Sequence, residues 1–349
     1  MINQKQEAHE PNMVPNEAAG KKTSVEAFKY DWDRAVAMVA AHSNEIVHAP
    51  FEYLDSLPNP KTLVPLVDGL HAWFRIPEDQ LVKIRKIVHE VDQTTLLIDD
   101  VLDNDTERRG SPATHLVFGV GHTISTALVT YGKIYELAST LSDVAYRSLL
   151  DEIKILYSGH THEFFQTYNC APPPIPGHLK VLEQKTGSLF RMTSRMMQAE
   201  ATKNQDININ NFITVLGRYY QILNDFQDIT DTALGKISLS DKDDLDQGTF
   251  TLTLIHALNE QKKAGKTELI DIMKSRGDPD GLPRKAKARA VELIKEAGSL
   301  DYTKSVLDGS HDELMREVEA IDQAAGTDNQ AMKNYLEYLK SLAEVAAKV

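Results

Sequence analysis

Two acidic runs carry the chemistry that this sequence could do. The first is Asp99-Asp100-Val101-Leu102-Asp103, which follows the apolar Leu96-Leu97-Ile98. Asp99 and Asp103 are four positions apart, so on a helix they share a face and repel unless a cation lies between them. At the end of a buried helix they need that cation even more. Oxygen-only donors suit Mg²⁺, which keeps several waters and bridges to substrate phosphates. Alone, such a run could equally be a solvated helix end that continues into Asp105 and Glu107. The second run, Asn224-Asp225-Phe226-Gln227-Asp228, makes solvation the poorer account of both. It follows the aromatic-rich Tyr219-Tyr220-Gln221-Ile222, far enough along the chain to face the first run from another helix.

Cations stand near these acids in sequence: Arg108-Arg109-Gly110, then Lys185-Thr186-Gly187 with Arg191, and Lys236 after the second run. A diphosphate leaving group needs metal and cationic partners to absorb its developing charge. Any one of these Arg or Lys residues by itself would be read as surface charge.

The elements that must position them are helical. Residues 78–98 place apolar side chains at 81, 84, 87, 88, 91 and 96–98, a stripe that widens to full burial near its end. Similar periods recur in 142–167, 178–202, 208–230, 250–260, 283–297 and 328–347. Gly110–Pro112, Pro172–Pro176 and Gly277–Pro283 punctuate them. Strand-like alternation is rare, and no linker or fixed-period repeat divides the chain. The expectation is an all-α fold: a polar, disordered lead over 1–24, then one helical domain of roughly ten helices over 25–349 with a central cavity.

Composition narrows the function classes. The chain has 349 residues, 42% of them hydrophobic, enough for a sizeable core. Its formal net charge of -13 argues against general nucleic-acid binding, which rests on phosphate neutralisation by Lys and Arg. A lone cysteine, Cys170, excludes an internal disulfide framework and fits a reducing compartment. No stretch matches a signal peptide or a spanning helix, so a cytoplasmic protein is expected.

The ordered motifs resemble the trans-isoprenyl diphosphate synthases, especially fungal geranylgeranyl diphosphate synthases. The matching stretches are Leu96 to Asn104, Arg108-Arg109-Gly110-Ser111-Pro112 with His115, Phe118 and Gly119, Lys185 to Arg191, Met196-Met197-Gln198, and Leu216 to Ile222 with the second acidic run. The resemblance implies that Asp99 and Asp103 hold two Mg²⁺ ions on an allylic diphosphate. Asn224, Asp225 and Asp228 would hold a third. Arg108, Lys185 and Lys236 would contact the diphosphate, with Thr186 beside them, and Gln221 would face the reacting carbons. Homodimerisation is implied by the resemblance alone.

Three departures matter. The second run opens with Asn224 where the family usually has Asp; an amide oxygen still ligates Mg²⁺, at lower charge. Class I terpene cyclases also use Asn in a comparable role, but the steps after Asn224 here are Asp228 and Thr232, which is not their pattern. The family's early Gly-Lys-x-x-Arg element is Pro60-Lys61-Thr62-Leu63-Val64, which keeps Lys61 and loses the Arg. The His expected seven residues before the first aspartate is Asp92. Each lost charge-assisted contact is worth about 1.5–3 kcal/mol, so isopentenyl diphosphate would bind about 10²- to 10⁴-fold more weakly.

Three functional expectations follow. In the first, the chain ionises geranylgeranyl diphosphate and transfers the C20 group to C3 of indole-3-glycerol phosphate, as the indole-diterpene geranylgeranyl transferases do. Arg109 and Lys61 would then take the acceptor phosphate, and Asp92 the indole N–H. The second is chain elongation to geranylgeranyl diphosphate with isopentenyl diphosphate. The third is a terpene cyclase or a non-catalytic partner subunit. Small Thr94 and Thr95 before the first acidic run favour a deep tunnel for a long tail. Residues 232–249 read as a mobile loop over the site mouth.

Overall fold

The computed structural model describes residues 45–58, 63–233, 243–277 and 281–347. α1 covers 45–56, and α2 is Leu63–Phe74. α3 (Glu78–Leu102) begins after Pro77 with Glu78 and Asp79 in its first turn, where acids suit the helix dipole. It buries Leu81, Ile84, Ile87, Val88 and Val91, as the apolar stripe requires. Toward its C-terminus the buried face turns polar, with Gln93, Thr94, Thr95 and Asp100 all covered. That switch marks where α3 stops packing and starts lining a site.

α3 ends as Asp103 donates its backbone N–H to the carbonyl of Asp99, and Asn104 then turns the chain with φ +53°. A short hairpin follows, β1 (Glu107–Arg108) against β2 (Ser111–Pro112), with Arg108 opposite Ser111. Its two turn residues, Arg109 and Gly110, have φ +54° and +78°. Two positive values in a two-residue turn match the twist of antiparallel strands. Strands this short leave no alternating pattern, which is why the sequence shows only punctuation here.

The remaining elements are α4 (Thr114–Phe118), α5 (Val120–Ala138), α6 (Asp143–Tyr168), α7 (Ile175–Gln184), α8 (Thr186–Ala199), α9 (Asn210–Ala233), α10 (Asp244–Gln247), α11 (Leu252–Lys263), α12 (Glu268–Lys274), α13 (Arg284–Glu296), α14 (Ser299–Ala325) and α15 (Gln330–Ala346). The fold is all-α. α3 packs on α5 and α8, α8 lies between α6 and α9, and α9 meets α14 and α15. α15 returns to α2, where the buried Trp73 Nε1 donates to Asp322 Oδ1 of α14 at 2.7 Å. Among the described residues no helix is long and apolar enough to cross a membrane.

The structure corrects three expectations. There are more helices than the ten or so expected, because α4, α10 and α12 are too short to show a period. The single helix expected over 178–202 is broken at Lys185 (φ −79°, ψ −98°), since the apolar positions of α7 and α8 remain nearly in phase across the break. α14 was not singled out because its buried stripe includes Thr303 and His311 among Leu307, Leu314 and Val318. The lead over 1–24 lies outside the described residues.

Two glycines set the close approaches around the site. A Cβ on Gly217 of α9 would come within 2.9 Å of the Gly187 Cα on α8. A Cβ on Gly159 of α6 would meet the backbone of Gln184 and Lys185 at 2.8 Å. Only glycine lets α6 lie this near the break, and the break aims Lys185 at the end of α3.

Candidate active site

One cavity of about 440 Å³ opens between α3, α6, α8 and α9. It gathers Asp92, Thr95, Asp99, Arg108 and Arg109 from the α3 side, and Lys185, Thr186, Gln221 and Asn224 from α8 and α9. Residues spread over much of the sequence thus share one wall. Leu96, Leu156, Leu189 and Tyr220 supply its apolar part. Asp103 lines a smaller hollow of about 110 Å³ with Glu163, Asp246 and Gln247, and His160 faces both spaces.

At the α3 terminus, negative charge is in excess. Asp99 lies 3.4 Å from His160 Nδ1 and 4.0 Å from Lys185 Nζ, yet its buried Oδ1 accepts no hydrogen bond among the described residues. Burial first, and Asp99 next, push the Asp103 carboxyl up to about 8. Lys185 donates to Glu163 in a short contact. Burial works against the Lys185 charge, but Glu163, Asp99 and Asp103 together hold it above the ordinary lysine value. Burial and the Lys185 charge push His160 down to about 4, so its ring is neutral near pH 7.

Arg108 is committed to its own side of the site. Its Nε donates to Asp100 Oδ1 at 2.7 Å and its Nη2 to Asp105 Oδ2 at 2.9 Å. Any contact of Arg108 with a ligand therefore comes from a guanidinium already held in place by two carboxylates.

The second acidic run extends the same excess. Asn224 is exposed toward the main cavity, whereas Asp225 is buried and accepts from Gln221 Nε2 at 2.7 Å. Gln221 in turn accepts from the Thr186 hydroxyl in a short contact, so α8 fixes its amide. Asp228 Oδ2 accepts the backbone N–H of Asp244 at 3.1 Å. Burial pushes the Asp225 carboxyl up to about 7, with the Glu163 charge adding to it against the Gln221 hydrogen bond. Burial also raises Asp228, to about 6. Asp244 rises well above the ordinary value through burial and the neighbouring Asp228 and Asp225.

This donor set fits Mg²⁺. The available groups are oxygens, one buried oxygen lacks a donor, and the carboxyls hold protons that a cation would displace. Among the described residues no three acidic or histidine side chains already converge on one point as an ion's ligands. Mg²⁺ tolerates that, since it takes one or two carboxylates and completes its shell with water and substrate phosphate.

The other end of the cavity, about two turns back along α3, is built differently. Asp92 accepts from Gln93 Nε2 at 2.9 Å, and Gln93 Oε1 accepts from Arg109 Nη1 at 3.2 Å. Burial raises the Asp92 carboxyl, against the hydrogen bond from Gln93 and the Arg109 charge. Below, Thr94 is fully buried, and Thr95 Oγ1 lies 3.4 Å from the Tyr131 hydroxyl. Tyr131 and Tyr157 share a hydrogen bond of 2.6 Å behind Thr95, which lines the cavity, whereas Thr94 does not. Lys61 and Lys236 lie outside the described residues.

His160, Glu163, Asp244 and the Tyr131–Tyr157 pair are site residues that the sequence reading did not name. His160 and Glu163 sit three apart on α6 just after Gly159, a spacing that could have flagged a helical polar face. Nothing in the sequence marks the tyrosines.

The polyprenyl synthetase family model matches residues 45–294. The dolasta-1(15),8-diene synthase of Colletotrichum gloeosporioides is 38% identical over 83% of this chain and 39% of its own length. The ophiobolin F synthase of Aspergillus calidoustus is 30% identical over 90% of this chain and 44% of its own length. A bifunctional sesterterpene synthase of Talaromyces wortmannii is 31% identical over 85% and 39%. The chain thus spans less than half the length of these relatives. They overturn the expectation of transfer to indole-3-glycerol phosphate: the relatives are terpene synthases. The reason lies in the kind of signal used. Val64 in place of an Arg and Asp92 in place of a His say what the chain lacks, and a lack does not specify an indole.

Proposed function

The chain belongs to the polyprenyl synthetase family, and from that premise we propose that it ionises one allylic isoprenoid diphosphate and cyclises the resulting cation, as a terpene synthase. The observation that carries this reading is the contrast between the two ends of the cavity along α3. The end at Asp99 has the carboxyls to take a metal-bound diphosphate. The end at Asp92 presents a carboxyl where the family resemblance would put a second diphosphate.

Family members generally use Mg²⁺, and Asp99, Asp103, Asp225 and Asp228, with Asn224, would hold it here. Bound there, it would neutralise the diphosphate leaving group. Lys185 supplies a fixed positive charge to that diphosphate. Gln221, its amide held by Thr186 and Asp225, presents a polar edge to the first carbons of the tail. Leu96, Leu156, Leu189 and Tyr220 surround the tail and keep water from the cation. Thr95, small and lining the cavity, leaves room there for the tail.

A second reading is chain elongation with isopentenyl diphosphate. It is favoured by Arg109, which keeps one cation at the Asp92 end of the cavity, and by the word bifunctional in the name of one relative. The test is a paired assay with Mg²⁺. One tube holds geranylgeranyl diphosphate alone, the other farnesyl diphosphate with isopentenyl diphosphate. Hydrocarbon from the first with little elongation in the second is the expected result. Efficient elongation with no hydrocarbon would replace the cyclase reading with the second.

A further inference from the structure

Of the segment expected as a mobile loop, 232–249, residues 234–242 lie outside the described residues. Residues 232–233 finish α9, and 243–249 carry α10 with Asp243, Leu245 and Asp246 buried. A four-residue helix does not hold itself together, because nucleation costs more than one turn returns. α10 is therefore held by what surrounds it.

Its inner side is anchored. The Asp243 carboxylate accepts from the N–H groups of Leu245 and Asp246 at 3.1 and 3.2 Å, and Asp246 accepts from the Asp243 N–H at 3.3 Å. Lys287 of α13 is 0% exposed, with Nζ 2.9 Å from Asp243 and 2.6 Å from Asp246. The Thr232 hydroxyl donates to Asp243 at 2.8 Å, one turn beyond Asp228 on α9. The Leu282 N–H donates to Asp246 at 2.9 Å. Gly281 (φ +73°) admits that approach, since a Cβ there would stand 2.8 Å from Asp246.

The outer side of α10 touches the second acidic run and Asp105, two residues beyond the first. The Asp244 N–H reaches Asp228 at 3.1 Å, and Gln247 Nε2 donates to Asp105 Oδ1 at 2.6 Å. The Asp244 carboxyl has no ion-pair partner among the described residues. Burying an ammonium ion with two carboxylates gains little stability over apolar packing of the same volume. What the arrangement supplies is a fixed position for α10.

We propose that Lys287 is a positioning residue of the active site: by clamping α10 through Asp243 and Asp246, it holds Asp244 beside Asp228 and thereby sets the Mg²⁺ requirement of the site. This rests on the proposed reading only in that the site takes up Mg²⁺ with diphosphate. The probe is accordingly Mg²⁺ with inorganic pyrophosphate, read by calorimetry and by thermal shift on the whole chain, with no prenyl substrate. Failure of the cyclase reading therefore leaves this test untouched.

Lys287→Met should raise the Mg²⁺ concentration at half-saturation by about tenfold or more, the scale seen when groups orienting metal ligands are lost. Lys287→Arg should recover most of it. Arg289→Ala removes a cation from the same helix that pairs only with exposed Glu268, Glu292 and Glu296 among the described residues, and it should leave the titration unchanged. A folded Lys287→Met protein with the wild-type titration overturns the proposal. If Lys287→Met does not fold, Asp244→Asn decides the matter: it keeps the clamp, and an unchanged titration in that variant overturns the proposal equally.

Discussion

Asp99 and Asp92 face the same cavity from the same helix in opposite electrostatic company. Seven residues separate them, about 10 Å along α3. Asp99 belongs to a group of carboxyls that outnumbers its cations, with Lys185 shared between Glu163 and Asp99. Asp92 is a lone acid held by Gln93 and offset by Arg109. The first end is unsatisfied without a ligand of positive charge. The second is satisfied by the protein itself. Under the proposed reading, a site that completes one end and leaves the other open would take one metal-bound diphosphate and leave the rest of its volume to the tail.

The comparison breaks most directly at its acidic end. Asp99→Ala and Asp103→Ala should each cut turnover on the order of 10³-fold or more, the scale of losing a preorganised stabiliser of leaving-group charge. Each variant should melt no lower than the parent, because it removes one carboxyl from a buried group in which carboxyls outnumber cations. Near-normal turnover in either would mean the metal is held elsewhere.

The other end can be rebuilt. Asp92→His combined with Val64→Arg returns the two groups that family members carry. Each charge-assisted contact is worth about 1.5–3 kcal/mol, so elongation with isopentenyl diphosphate should rise at least about tenfold per group. A variant that folds and shows no gain in elongation would mean that these two positions do not decide the acceptor.

The pH dependence of stability should separate the ends next. Asp103, Asp225 and Asp228 titrate above the ordinary 3.8, at about 8, 7 and 6. The folded state therefore holds protons that the unfolded chain releases. That contribution is present at low pH and is lost as pH rises from about 4 through about 8. Metal-free protein should melt lower at pH 8 than at pH 5, by on the order of a few degrees. Mg²⁺ with pyrophosphate should flatten the slope. A metal-free melting point that rises over this range would contradict the charge excess.

The smallest expected effect is at Asn224. Asn224→Asp adds a carboxylate at the exposed edge of the cavity and should lower the Mg²⁺ needed for half-maximal turnover only a few-fold, since the gain is one exposed charge among several. A loss of activity instead would mean that the amide N–H₂ is used.

How much of this was legible in the sequence depends on range. α3 and both acidic runs could be read because periodicity and local spacing express them directly. The meeting of Asp228 with Asp244, and of Asp105 with Gln247, could not, because each joins chain segments whose proximity only packing decides. The break at Lys185 was hidden for the opposite reason. Its flanking helices keep an apolar phase that looks continuous, and the close approach that accompanies the break is made by Gly159 on another helix. Indole transfer failed for a third reason: a missing Arg and a missing His do not describe what replaces them.

Arg109 occupies a left-handed backbone position, φ +54°, in a turn whose geometry suits glycine or asparagine. Holding a side chain there costs about 1–3 kcal/mol. Under selection for heat tolerance alone, that position is an inviting place to drift, and the residues that relieve it are the ones that discard the guanidinium. A laboratory lineage evolved for survival at high temperature, with no demand for product, should therefore accumulate Gly or Asn at 109 early and lose the Gln93–Asp92 arrangement with it. The hairpin would become quieter while the enzyme forgot which end of its cavity was which.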